Sequence, residues 1–385
     1  MKRKIIGGIL AAVMIAGLAA CGAEDPNIPR YSLVTNKEGI STEGTVSNIW
    51  NVVESTASSS NHKAALYTAA IDTQEAYLKA IDKAVDDKSK LVIAYGKEME
   101  IPVYNGQNAH HGTKFFLIDG QPREKEGSKA DIRSNTCSIT FLYEQEGFVA
   151  GYAAVKEGFR NLAFMAGGKT DENIRYCGGF VQGAEQAASE LSLANGSVKI
   201  RGVYEENDEL SPLRMAEALK WYNDGTEIVF TVGSNLSRAV AKAADAVDRR
   251  VISAGVDLTG SSDKVLFAMV PVYETAVKLA LASFEEKKGF QGGKDVEYGV
   301  SDGCIKMSVD FARFAKFTES DYNAVLDKIK NGSITVSADE VTAGNGLVGL
   351  TMEESQQTAA DTSKSTSDST ASKTSESGTN STVSG

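Results

Sequence analysis

The feature that most constrains this chain is an alternation of two hydrophobic periods. Between residues 30 and 350, short apolar runs at 30–34, 90–95, 114–118, 138–142, 161–166, 198–203, 228–232, 250–256 and 265–270 read as strands. Helical spacing at 64–88, 146–157, 174–191, 211–223, 235–248 and 273–287 separates most of them. Strands that alternate with helices bury their surfaces by forming parallel sheets with helices on both faces, so the expected fold class is α/β. In such sheets a ligand sits beyond the carboxyl ends of the strands. One junction is unusual. The stretch FLYEQEGFVAGYAAVKEG, residues 141–158, passes from strand to helix with no proline or polar loop, and the inner face of its helix is nearly all Gly, Ala and Val.

The 385 residues are 42% hydrophobic and 24% charged, enough for one large or two medium domains. The first 20 residues place Lys2, Arg3 and Lys4 ahead of an apolar run, the layout of a secretory signal. That run ends Leu18-Ala19-Ala20-Cys21, which resembles the lipobox of bacterial lipoproteins, with Cys21 the residue that receives lipid. Lipid on Cys21 would hold the chain on a membrane surface without spanning it, and no later run reaches the roughly 20 apolar residues of a transmembrane helix. Residues 21–30 then serve as a polar tether. Residues 353–385, rich in Ser and Thr, cannot bury enough surface to offset ordering and are expected to form a disordered tail. Loss of Lys2, Arg3 and Lys4 takes the net charge from −11 to −14, which disfavours nucleic acid and anionic lipid as partners.

Cys137, Cys177 and Cys304 remain, with no metal-type spacing to His62, His110 or His111. Buried free thiols are the expectation, and one disulfide the alternative. No G-x-S-x-G, P-loop or H-E-x-x-H occurs, and His110-His111 lies in a Gly/Asn-rich segment without an evident carboxylate. The reading is therefore of a protein that is not an enzyme and needs neither metal nor cofactor.

Three strand ends carry candidate binding groups. The run 114–118 leads into Asp119 and the run 250–256 into Asp257, the position where α/β proteins place ligand-facing acceptors and also where turn carboxylates occur. The run 228–232 leads into Gly233, which lets a ligand approach the backbone, and then into Ser234-Asn235, which would cap the next helix. Trp50, spaced with Val46 and Val53 on a helical pattern, reads as core.

Taken together these residues resemble the basic membrane protein family, lipid-anchored substrate-binding proteins of ABC transporters typified by purine nucleoside receptors. The resemblance is carried by Tyr143-Glu144-Gln145-Glu146-Gly147-Phe148 with Gly151-Tyr152, by Leu162-Ala163-Phe164-Met165-Ala166-Gly167-Gly168, and by Phe180-Val181-Gln182-Gly183-Ala184. Phe116-Leu117-Ile118-Asp119, Gly255-Val256-Asp257 and Tyr298-Gly299-Val300-Ser301-Asp302-Gly303-Cys304 add to it. It covers about residues 31–348. It implies a two-lobed periplasmic-binding-protein-like fold of type I with a three-crossover hinge. One lobe would comprise 31–142 and about 271–303, the other 143–260 and about 304–350. The crossings would fall near 140–146, 256–269 and 302–308, so that 141–147 is a crossover and the helix starts at Phe148.

The resemblance further implies a nucleoside-like small molecule bound between the lobes of a monomer, and an ABC permease as partner on the extracytoplasmic face. Asp119 and Asp257 would hold sugar hydroxyls through charge-assisted hydrogen bonds, Gly233 would lie beside the sugar, and Tyr204 would stack on the base. Two departures stand out. The family's D-x-S-F-N segment is Thr42-Glu43-Gly44-Thr45-Val46 here, and its second-lobe Lys is Pro271. Either Asn36, Thr42, Glu43 and Trp50 build a modified site for a changed ligand, or the chain is a surface sensor or adaptor that has lost transport.

Overall fold

The protein is described from a computed structural model covering residues 28–41, 44–286 and 289–355. The signal segment, Cys21, Thr42, Glu43 and most of the Ser/Thr-rich tail lie outside the described residues. The chain begins with β1 (Pro29–Thr35), α1 (Thr45–Ser59), β2 (Lys63–Thr68), α2 (Gln74–Asp86), β3 (Leu91–Tyr95), α3 (Glu100–Ala109), β4 (Lys114–Ile118) and β5 (Thr136–Phe141). It continues with α4 (Tyr143–Glu157), β6 (Asn161–Ala166), α5 (Asp171–Glu190), β7 (Val198–Tyr204), α6 (Pro212–Asn223), β8 (Ile228–Val232), α7 (Ser234–Val247), β9 (Arg250–Ala254) and β10 (Val265–Pro271). Next come α8 (Tyr273–Glu285) and β11 (Lys294–Tyr298), and finally β12 (Ile305–Ser308), α9 (Glu319–Lys330) and β13 (Val348–Met352).

These strands form two sheets. The first has the order β2-β1-β3-β4-β5-β11, all parallel; the second has the order β13-β7-β6-β8-β9-β10-β12, in which only β12 runs antiparallel to its neighbour. The central strands β3, β4, β6, β8 and β9 are buried almost throughout, as parallel strands covered on both faces must be. The α/β class and the flanked parallel sheets match the expectation.

The chain passes between the sheets three times, and the passages lie side by side. Leu142 N–H donates to the carbonyl of Tyr298 at 2.9 Å, and Val272 N–H donates to the carbonyl of Cys304 at 2.8 Å. The second passage corrects the expected position in 256–269. Residues Val265–Pro271 pair with β9 and β12 and so belong to the second sheet, which moves the passage to Val272. The first passage is shorter than expected, because α4 already starts at Tyr143.

Other departures share one cause. The segment expected as a helix from residue 64 holds β2 at its start, and its helix begins only at Gln74, capped by Thr73 Oγ1 accepting from Ala76 N–H at 3.3 Å. β2, β11, β12 and β13 are edge or near-edge strands with half-exposed, polar faces, and pairing with a neighbour rather than local preference decides them. α3 contains Asn105, Gly106 and Asn108, which read as loop; Gly106 faces Ile81 and Phe115, so this helix packs as core.

Cys137, Cys177 and Cys304 are all buried and unpaired, which favours free thiols over the disulfide alternative. Burial pushes the Cys137 and Cys304 thiols up to about 12. Trp50 packs half-buried against the first lobe's core, as expected. His110 does have a carboxylate partner, contrary to expectation: Asp82 Oδ1 lies 2.7 Å from its Nε2. Among the described residues no helix is long and apolar enough to cross a membrane, and no cluster of side chains is arranged to hold a metal.

Candidate functional site

A cleft of about 890 Å³ opens between the lobes. Its first-lobe wall comes from the short turn after β3, the start of α3, the loop after β4, and β11; its second-lobe wall is the N-terminal part of α5. Among the described residues its lining holds eight carboxylates and four cationic side chains. The four cations are already engaged: Lys97 with Glu172, Arg123 with Glu100, Lys169 with Glu340, and Arg175 with Glu144 and Glu297.

Asp119 lines this cleft. It follows β4 with φ of 59°, a left-handed conformation that Asp and Asn tolerate better than most residues. Its Oδ1 accepts from Tyr143 O–H at 2.6 Å and its Oδ2 from Tyr273 O–H at 2.8 Å. Each tyrosine is the first residue of the helix that follows a passage between lobes, so one first-lobe carboxylate ties together two strands of the hinge. Burial, and then the Asp119 charge, pushes both tyrosine hydroxyls well above their ordinary range, so both stay protonated donors. Ring edges pack the cluster further: Tyr95 and Phe141 meet Tyr273 at 5.1 and 5.3 Å between centroids, and Tyr176 meets Tyr143 at 5.1 Å.

The residues 144–147 each have a separate task here. Glu144 holds the Arg175 guanidinium at 2.6 Å. Gln145 Oε1 accepts from Val300 N–H at 2.8 Å across the hinge. Glu146 is fully buried, and burial pushes its carboxyl well above the usual range; Tyr176 O–H lies 3.3 Å from its Oε2. Gly147 lets α5 approach α4 at backbone distance.

Of the expected site residues that are described, only Asp119 lines this cleft. Asp257 is exposed after β9. It accepts from Thr259 N–H at 2.9 Å and Thr259 O–H at 2.6 Å, and from Ser308 O–H. Burial works to raise its pKa, but the hydrogen bonds from Ser308 and Thr259 outweigh that and hold the carboxyl below its usual range. Gly233, at φ of 122°, precedes α7, and a Cβ there would fall 2.6 Å from Asp208 Oδ1. Asp208 takes the capping place expected for Ser234 or Asn235, accepting from Leu236 N–H at 2.7 Å and Asn235 N–H at 3.2 Å. Tyr204 is half-buried at the end of β7 against Phe164, with the Lys169 ammonium 5.7 Å from its ring centre. Asn36 closes the turn after β1, its Oδ1 accepting from Glu38 N–H at 3.2 Å. Thr42 and Cys21 lie outside the described residues, and Pro271 is buried in β10.

Sequence reasoning missed Tyr143, Tyr273, Lys97, Glu172, Arg175 and Asp208. One signal for the first two was present: a Tyr-Glu pair comes one residue after a strand at both 143–144 and 273–274. Lys97 and Glu172 find each other only across the two lobes, and Arg175 and Asp208 take partners from other elements of their own lobe.

Two parallel-sheet lobes joined by three passages, with a cleft between them, define the class of two-lobed solute-binding folds. Solved structures agree: the solute-binding protein of an ABC transporter system from Aeropyrum pernix K1 superposes with a TM-score of 0.58 at 14% identity, covering 82% of this chain and 95% of that one. A corresponding protein from Conexibacter woesei gives 0.58 at 12% identity, covering 80% and 98%. The model of the PnrA-like ABC transporter substrate-binding proteins matches residues 34–340, and the chain belongs to that family. Among curated proteins it is similar to Basic membrane protein B of Borreliella afzelii, 26% identical over 47% of this chain and 53% of the relative. It is also similar to Basic membrane protein B of Borreliella burgdorferi, 24% identical over 56% and 60%. The aligned region thus spans little more than half the length of these relatives.

Proposed function

We propose that the protein is a lipid-anchored, extracytoplasmic receptor that takes a nucleoside or similar small polar molecule between its lobes for uptake by an ABC permease. The observation that carries this is Asp119: a carboxylate lining the cleft, held by the hydroxyls of Tyr143 and Tyr273. Such a carboxylate keeps acceptor capacity for ligand hydroxyls and, being charged, bonds them more strongly than a neutral group would. The eroded first-lobe segment 42–46 favours a changed ligand over an unchanged purine nucleoside, because a site built on polar pairing discriminates sharply when its groups change. Asp257, Gly233, Tyr204, Asn36 and Thr42 remain its proposed second set of contacts.

Ligand binding should appear as a thermal shift of the chain against a panel of nucleosides, bases and sugars. A ligand at 100 times its dissociation constant stabilises by about 2.7 kcal/mol. The carboxylate excess in the cleft makes a further demand. A nucleoside that shifts the protein should do so at least about tenfold more tightly than its monophosphate, because two added negative charges meet cations that are already paired. Asp119→Asn keeps the left-handed backbone and the shape, and is expected to weaken any such ligand by about tenfold. A panel with no shift, or a monophosphate preferred over its nucleoside, contradicts the reading.

The anchor has its own check. Cells expressing the full chain should hold it in the membrane fraction, and Cys21→Ser should release it; a Cys21→Ser chain still sedimenting with membranes would refute the lipid.

A further inference from the structure

The N-terminal part of α5 faces the first lobe at two points outside the hinge. Glu172 pairs with Lys97, which stands on the short turn directly after β3. One turn on, Arg175 Nη1 donates to Glu297 Oε1 on β11 at 2.6 Å. Both pairs cross the cleft and both lie on its walls.

The two pairs differ in how they are held. Arg175 is also fixed inside its own lobe, by Glu144 at 2.6 Å and by the Tyr143 ring 5.6 Å beneath its guanidinium. Its side chain is only 18% exposed, whereas that of Glu297 is 41% exposed. Separation of the lobes therefore removes one of two carboxylates and leaves Arg175 aimed and paired. Lys97 has no such second ion pair among the described residues, and its side chain is 57% exposed. Neither pair is buried enough to lock the lobes, and both are open to screening by salt. Three short passages at Leu142, Val272 and 299–304 leave rotation about the hinge as the motion the pairs oppose.

We propose that Lys97–Glu172 and Arg175–Glu297 form a reversible clasp that draws the lobes together before any ligand arrives, with α5 as its moving arm. The clasp rests on the reading of the interlobe cleft as the solute site, and it sets how much of the population is already in the binding-competent, closed form. A receptor biased this way binds more tightly than one that must spend ligand affinity on closure, by the ratio of the closed fractions.

Cys137, Cys177 and Cys304 are buried, so in a chain that also carries Cys21→Ser a single reporter cysteine on each lobe can be labelled selectively. Lys79→Cys on α2 and Lys242→Cys on α7, both at exposed positions, carry a donor and an acceptor dye, and energy transfer is read on the full chain without ligand. At low salt a single short-distance population is expected. Glu172→Gln with Glu297→Gln removes two charges and no packing, and should lower the closed-to-open ratio roughly three- to tenfold. Raising NaCl to about 1 M should do the same to the parent. Exchange of the pair by Lys97→Glu with Glu172→Lys should restore the short distance. Overlapping distributions for parent and double variant, or indifference to salt, would overturn the clasp. No ligand enters this experiment, so its result is independent of whether the ligand panel shows any binding.

Discussion

Gly179→Val should leave the second lobe unable to fold. α4 and α5 cross with their backbones in contact, and four glycines make that possible. A Cβ on Gly147 would sit 1.9 Å from the carbonyl oxygen of Tyr176, and one on Gly151 1.9 Å from that of Phe180. The relation is reciprocal: a Cβ on Gly179 would be 2.0 Å from the Glu144 oxygen, and one on Gly183 1.9 Å from that of Phe148. The obstacle in each case is main chain, which cannot rotate aside as a side chain can. Overpacking a core by a few atoms costs about 1–3 kcal/mol where side chains can shift. Here the helices themselves must part, so Gly179→Ala should cost at least about 3 kcal/mol, and valine a large share of the 5–15 kcal/mol that holds a typical domain. Denaturant titration followed by circular dichroism tests this. Gly112→Ala is the control, since a Cβ there meets no atom within 4 Å and should change nothing. Equal behaviour of Gly179→Ala and Gly112→Ala would show that the helices do not pack as described.

A comparable loss is expected from Arg214→Met. Arg214 lies on α6 with its side chain 3% exposed, 2.6 Å from Glu205 and 3.4 Å from Glu217, which are 0% and 1% exposed. Ser355 O–H adds a hydrogen bond to Glu205 Oε2 at 2.6 Å, so this cluster also fastens the end of the described chain. Removal of one partner from a buried ion pair costs about 3–5 kcal/mol, because the remaining charge is stranded without water. Burial first, and then the Glu205 charge, lifts Glu217 to about 7 from 4.5. The folded state therefore binds this proton more tightly than the unfolded state does. Its stabilising contribution is complete below pH 4.5 and is lost as the pH rises towards 7. Urea midpoints at pH 5 and pH 8 should show Arg214→Met more damaging at the higher pH, while Glu217→Gln flattens the pH dependence of the parent. A Glu217→Gln chain with the parent's slope would remove Glu217 as the source.

Where the physics is local, the sequence determined the outcome by itself. Central parallel strands are apolar on both faces, so runs such as 114–118 and 228–232 announce themselves, and the carboxylate placed directly after one, Asp119, does line the cleft. The glycines and alanines of 147–154 mark a helix that something approaches closely. Only the tertiary structure decided what does the approaching, since the carbonyls of Tyr176 and Phe180 come from another helix. It also decided the edge strands β2, β11, β12 and β13, whose half-polar sequences become strands only beside a partner. The hinge is the clearest case. Asp119 receives hydrogen bonds from residues 24 and 154 positions away, and Lys97 meets Glu172 across the cleft. Contacts of that kind depend on how far apart two distant segments finally stand, a distance no local pattern of residue types encodes.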